Sequence, residues 1–311
     1  MKKSVFARSF AILLISCIFC SILSGCGSSS KSSSSEPPVY SPLRVLVPEA
    51  PGSDTLGSSP LTLDVSNITQ GYFAAQSDSA DLVTSLQITA PTGVLYSYFI
   101  EPGENAVIPF TEGNGDYTVV GYQQIQGDQY AALYSETLTV ELENDFLPFL
   151  YPNQYVNFSP DSGASKLALS MVSEDTADVD ALKQIYNYVV NNLTYDYDKA
   201  QTVETGYLPD VDETLSTKTG ICFDYAALTT AMLRSCDIPC KLQIGYTGDI
   251  KHAWIDVYIR SKGWVTNAVS FNGDSWSLMD PTFDSSADSD DSEAIQDYIG
   301  NADNYTVQFT R

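Results

Sequence analysis

The sequence predicts an α+β protein in two unlike parts, a small all-β, sandwich-like region followed by a region in which helices and strands mix. Between residues 40 and 150, apolar and polar residues alternate in short runs broken by turn residues, the period of a half-buried strand. Past Pro152 the apolar spacing changes to three and four residues, the period of an amphipathic helix, and alternation returns further on. At 311 residues and 43% hydrophobic content the chain is long enough for two domains and a sizeable core.

Residues 1–25 read as an export signal: Lys2, Lys3 and Arg8 form a positive start, an apolar run from Phe10 to Leu23 follows, and small residues close it. Leu23-Ser-Gly-Cys26 resembles a lipobox, in which cleavage precedes the cysteine and that cysteine, Cys26, carries the acyl chains. Residues 26–38 are then a lipidated cysteine and a serine-rich tether that cannot bury itself. The expected location is the extracytoplasmic face of a membrane, held there by lipid. Loss of the signal leaves 12 cations against 39 acids, a formal charge of −27. Nucleic acid and anionic lipid both require clustered Lys and Arg, so neither is an expected partner.

Residues 39–150 form the predicted β-domain. Leu61–Val65, Leu86–Ala90 and Leu138–Leu142 alternate, and Pro91-Thr-Gly93, Pro102-Gly103 and Gly113-Asn-Gly115 mark turns between them. Tyr117, just after the Gly-Asn-Gly-Asp turn, is a candidate sandwich corner tyrosine. In residues 151–311, Val179, Leu182, Ile185, Tyr186 and Val189 predict one helix. The run from Cys222 to Arg234 predicts a second, stopped by Asp237-Ile-Pro239. Strands are expected at 241–246, 252–259, 264–271, 276–279 and 305–309. No internal repeat is visible.

Gly220-Ile-Cys222-Phe-Asp-Tyr225 sets a cysteine at a helix start, where unpaired N–H groups and the helix dipole favour a thiolate and can face an oxyanion. Gly220 suits a tight turn into that helix. His252 is the sole histidine and opens one strand, whereas Asp280, in Asp280-Pro-Thr282, closes another. Together they supply a thiol nucleophile, an imidazole to move its proton, and a carboxylate to fix the imidazole's tautomer.

These residues resemble the transglutaminase-like superfamily of papain-fold enzymes. The resemblance rests on four motifs in family order: Gly220 to Ala226, Ile238-Pro239, His252-Ala-Trp254 and Asp280-Pro-Thr282. It covers roughly residues 155–311 and includes Leu193-Thr-Tyr-Asp196. It implies a helix-borne cysteine packed on an antiparallel sheet, with Cys222 as nucleophile, His252 as base and acid, and Asp280 as its orienter. The chain departs from the family's usual Gly-Ile-Pro-Ala-Arg with Asp237-Ile-Pro-Cys-Lys241.

The activity so implied is attack on a protein or peptide amide through a Cys222 thioester, with hydrolysis favoured slightly over acyl transfer. The competing reading is a tethered peptide-binding protein that keeps the triad but does no chemistry. No cofactor is demanded by a thiol, an imidazole and a carboxylate, and with one histidine no zinc pattern exists. The Cys222 N–H and the Tyr195 hydroxyl are candidate oxyanion donors, while Asp224, Tyr225, Trp254 and Trp276 are expected to shape and pack the cleft. Cys236 and Cys240 read as inert core thiols, with mutual pairing as the alternative. The acidic stretch 284–293 lacks the central glycine of a calcium loop and reads as solvated surface.

Overall fold

The computed structural model describes residues 44–266 and 305–311. The first part is two four-stranded antiparallel sheets. One has the order β1 (Thr55–Ser58), β2 (Leu61–Asp64), β3 (Tyr72–Ser77), β6 (Asn105–Pro109); the other runs β5 (Leu95–Ile100), β4 (Thr84–Thr89), β7 (Gly115–Gln126), β8 (Gln129–Val140). Alternation supplies the shared core: Leu61, Leu63, Phe73, Ala75 and Ile108 from the first sheet meet Leu86, Ile88, Ile100, Val119 and Leu138 from the second. This is the expected sandwich. The β7–β8 hairpin is longer than the alternation near residue 138 announced, with 12 residues in each strand. Tyr117 folds back so that its hydroxyl donates to the Gly113 carbonyl at 2.9 Å and accepts from the Glu112 N–H at 3.2 Å, a tyrosine corner.

The second part packs helices on a sheet. After α1 (Gly163–Met171) and α2 (Asp178–Asn192) come β9 (Thr194–Tyr195), α3 (Tyr197–Thr202), α4 (Val211–Thr217) and β10 (Thr219–Gly220), then the central helix α5 (Cys222–Ser235). The last elements are β11 (Cys240–Thr247), β12 (Ile250–Ile259), β13 (Gly263–Val265) and β14 (Tyr305–Thr310), in the sheet order β13-β12-β11-β14. α5 is buried along nearly its whole length. Ala226, Ala227 and Ala231 let it lie close to α1, α2, β11 and β12, where Leu242, Ala253, Ile255 and Val257 meet it. The predicted helices at 179–189 and 222–234 are α2 and α5; α1, α3 and α4 were not anticipated. Expected strands beyond residue 266 and before 305 lie outside the described residues.

Two buried arginines join the parts. Arg234, on α5, donates to the carbonyls of Cys240 (3.0 and 2.8 Å), Arg311 (2.9 Å) and Tyr151 (2.7 Å), tying the helix to β11, the end of β14 and the connection out of the sandwich. Burial lowers its pKa to about 10, which leaves it charged at neutral pH. Arg311 reaches into the sandwich side, its guanidinium stacked over the rings of Tyr96, Tyr98 and Tyr155 and donating to the Tyr98 hydroxyl at 3.1 Å.

The far end of α5 explains the Asp237 departure. Asp237 has φ +59°, and the Ile238 N–H to Leu233 carbonyl and Asp237 N–H to Arg234 carbonyl bonds, each 3.1 Å, form the six-to-one and five-to-two pair of a Schellman stop. Glycine takes this left-handed position without strain; aspartate tolerates it. Burial pushes the Asp237 carboxyl up to about 6; nearby Arg260 lowers it and nearby Asp178 raises it. A folded pKa above the unfolded value of about 3.9 means that the folded state holds the proton more tightly, so stability falls as pH rises from about 4 to 6. Asp237→Asn keeps the tolerated left-handed residue and removes the charge. It is expected to stabilise the protein by about 1 kcal/mol at pH 7, discounted for partial exposure, and by almost nothing at pH 4. Urea midpoints at the two pH values check this; equal effects at both would contradict it.

Candidate active site

Cys222 is the first residue of α5 and is a half-buried free thiol. What holds it there is Asp224, two residues on and completely buried. Its Oδ2 accepts from the Ile221 N–H at 2.8 Å, closing the first turn of the helix from inside; Ile221 has no side-chain acceptor to complete a reciprocal capping box. The same Oδ2 is paired with the Lys199 Nζ at 2.8 Å, and Oδ1 accepts from the Tyr207 hydroxyl. Lys199 also donates to the Tyr207 oxygen at 2.7 Å, so three side chains from α3, the following loop and α5 form one closed network. Burial works against the Lys199 charge, but its bonds to Asp224 and Tyr207 outweigh it and hold its pKa above the ordinary lysine value. Burial and the adjacent Asp224 carboxylate push Tyr207 up to about 12, so it stays a neutral donor. Sequence reasoning named Asp224 but missed Lys199 and Tyr207, which no pattern links to it.

Gly220 owes its place to space rather than to a turn. It pairs with Tyr195 in the short parallel β10–β9 ladder and is absent from the positive-φ glycines. A Cβ there would lie 2.6 Å from the Asp224 Cβ and 2.9 Å from its Oδ2. The ladder, with the Asp196 N–H to Gly220 carbonyl bond at 2.9 Å, brings Tyr195 beside the residue two before Cys222. The Tyr195 ring lies 5.0 Å from Tyr197 and 6.4 Å from the buried Tyr225.

His252 is 6% exposed and pairs across β12–β11 with Gly245. In the pleat it alternates with Ala253 and Ile255, which face α5, so it shares the other sheet face with Trp254. Their rings stack at 6.2 Å, and Tyr305 of β14 borders both, 6.4 Å from His252 and 5.1 Å from Trp254. Trp254 is almost wholly buried over Gly245, where a Cβ would lie 3.0 Å from its ring. Cys222 and His252 lie on packed elements, α5 and β12, and Tyr195 lies beside the helix start; the His252 ring, on the sheet face turned from the α5 core contact, is not brought onto the thiol by that packing alone. Asp280, Trp276, the 284–293 stretch and Cys26 lie outside the described residues. Cys236 and Cys240 are both free rather than paired, and burial pushes each thiol up to about 12, which leaves them protonated and unreactive.

Residues 165–281 match the profile of the Transglutaminase-like superfamily. Residues 165–281 are thus a transglutaminase-like region. The match includes Cys222 and His252 and reaches Asp280 and Pro281. The chain is 40% identical over 62 residues to UPF0252 protein MJ1282 of Methanocaldococcus jannaschii, covering 18% of each chain. It is 24% identical over 183 residues to the uncharacterized protein YebA of Bacillus subtilis, covering 51% of this chain and 25% of YebA. The matches therefore span no more than about a quarter of these curated relatives. Among solved structures, the periplasmic domain of TgpA from Pseudomonas aeruginosa aligns over 78% of this chain and 100% of its own, with 15% identity and a TM-score of 0.35.

Within the transglutaminase-like domain, the Gly220 clearance is open to a direct test. Gly220→Ala forces a methyl against Asp224, which its three partners prevent from moving, and is expected to cost about 2 kcal/mol. Urea unfolding reads the loss. A protein as stable as the wild type would mean that the carboxylate does not sit against Gly220.

Proposed function

We propose that the chain is an extracytoplasmic, lipid-anchored thiol enzyme that acts on protein or peptide amide bonds through a thioester on Cys222. The observation that carries this reading is the position of Cys222 at the start of a buried helix whose first turn is braced from inside by Asp224. Free N–H groups at a helix start stabilise a thiolate before attack and an oxyanion during it. The four family motifs, in order, support His252 and Asp280 as its partners.

In the proposed reaction His252 takes the Cys222 proton, and the thiolate sulfur attacks the amide carbonyl. The carbonyl oxygen becomes an oxyanion facing the Cys222 N–H and the Tyr195 hydroxyl, one such donor contributing roughly 3 kcal/mol. Collapse breaks the carbon–nitrogen bond, and His252 gives its proton to the leaving amine. Asp280 holds the imidazole in the tautomer that allows both transfers. Water, deprotonated by His252, then attacks the thioester carbonyl and releases the carboxylic acid and the Cys222 thiol. Hydrolysis is favoured over transfer to an amine because water is abundant outside the cell and no amine-donor site stands out among the described residues. The export signal and Cys26 support attachment to the membrane by lipid, with the β-sandwich as spacer or substrate-positioning module.

The test is to incubate the protein with peptides that carry glutamine and internal amide bonds, scoring new termini, released ammonia and acylation of Cys222 by mass spectrometry. The wild type is expected to turn over one class and to show a thioester at Cys222, and Cys222→Ala is expected to lose all activity while keeping its thermal midpoint. Turnover by the Cys222→Ala protein would sink the nucleophile assignment.

A further inference from the structure

A second concave surface lies in the cleft between the outer edge of the first sandwich sheet and the loop leading into α4. It has a volume of about 650 Å³, within the range of ligand sites. One wall is β6, the last strand of its sheet. The Ser77 N–H to Glu104 carbonyl and Phe110 N–H to Gly71 carbonyl bonds fix which backbone groups of β6 face β3. Strict alternation then turns the N–H and C=O of Asn105 and Val107 away from β3, toward the cleft that both residues line. Pro109, which has no N–H to offer, falls in the same outward register.

The opposite wall includes Asn153, which is 2% exposed. Its Oδ1 accepts from the N–H groups of Tyr155 (2.9 Å) and Val156 (3.1 Å), but its Nδ2 has no hydrogen-bond partner. Burying a donor unpaired costs about 1–3 kcal/mol, so a carbonyl brought within reach of this amide would satisfy it. The described lining residues include three acids and no lysine or arginine: Asp210 accepts from the Asp212 and Glu213 N–H groups and Asp212 from the Ala164 N–H, which leaves Glu104 as the one whose carboxylate caps no helix. Leu208 and Pro209 line the cleft, and Tyr207, the residue before them in the chain, holds Asp224.

We infer that this cleft binds an extended, cationic segment of a protein substrate, added as a strand to β6, so that the sandwich presents substrate to the thiol domain. Main-chain bonds to Asn105 and Val107 supply affinity, the negative lining with Glu104 favours lysine or arginine, and Asn153 donates to a peptide carbonyl. The inference rests on the proposed amide-directed function for its purpose, though not for its measurement.

The test is fluorescence anisotropy with an eight-residue peptide of alternating lysine and valine and the full chain carrying Cys222→Ala, so that nothing is consumed. The comparison probes replace lysine by glutamate, or N-methylate alternate backbone nitrogens. Saturable binding of the lysine peptide is expected, weakened about tenfold by N-methylation, by Val107→Pro and by Glu104→Lys, and lost for the glutamate peptide. Val107→Pro removes an outward N–H without breaking a bond to β3, and Glu104→Lys changes an exposed side chain, so a folding failure in one leaves the other informative. No binding, or binding indifferent to these changes, overturns the proposal. So does concentration-dependent dimerisation abolished by Val107→Pro without peptide binding, which would assign the edge to a second copy. Peptide binding without turnover in the wild type would sink the enzymatic reading alone; turnover without peptide binding would sink the docking site alone.

Discussion

The buried carboxylate of Asp224 sets the geometry on which the rest of the candidate site depends. A carboxylate removed from water is costly unless its oxygens are occupied, and here an N–H, an ammonium and a phenol occupy them. Each partner comes from a different segment, so satisfying one charge fixes the helix start, α3 and the loop before α4 at once. The thiol of Cys222 inherits that rigidity, being two residues away on the same turn. Gly220 is the complementary constraint, since no other residue leaves room for the carboxylate.

The same economy appears where the sandwich meets the mixed part. Apolar packing gives each part a core but does not by itself set their alignment, because it is non-directional. Arg234 supplies direction through bonds to three carbonyls from three segments, and Arg311 adds a cation among tyrosine rings that belong to both sides. The arrangement keeps β6, the connection through Asn153 and the loop through Leu208 close together as walls of one cleft.

Local periodicity was legible in the sequence, and long-range charge was not. The alternation of Leu61 and Leu63 or Leu86 and Ile88 announces strands because one face is dry and the other wet. The amphipathic spacing of α2 and the alanine-rich run of α5 were equally plain. By contrast α1, α3 and α4 have only six to nine residues, too few turns for a period to emerge, and α1 is rich in small residues. Cys222 and His252 stand out as candidates because they sit in ordered motifs. Lys199 and Tyr207 could not, since an ion pair closed by tertiary folding leaves no spacing rule. The reason for Gly220 was also misread: a glycine before a helix points to a turn, whereas here the constraint comes from a side chain four residues on. Arg234 and Arg311 run against the rule that arginine stays at the surface, and only their buried carbonyl and aromatic partners explain them.

The proposed chemistry requires Cys222 and His252 to act as an ion pair. Alkylation by iodoacetamide across pH 4 to 9, with the labelled site assigned by mass spectrometry, measures this without a substrate. The thiolate is the reactive form, and a paired imidazolium lowers a thiol from about 8.5 toward about 3–4. Rapid labelling of Cys222 at pH 5 to 6 that moves upward by units of pH in His252→Ala is the predicted result, with Cys236 and Cys240 silent throughout. Labelling of Cys222 only above pH 8, indifferent to His252, would contradict the account.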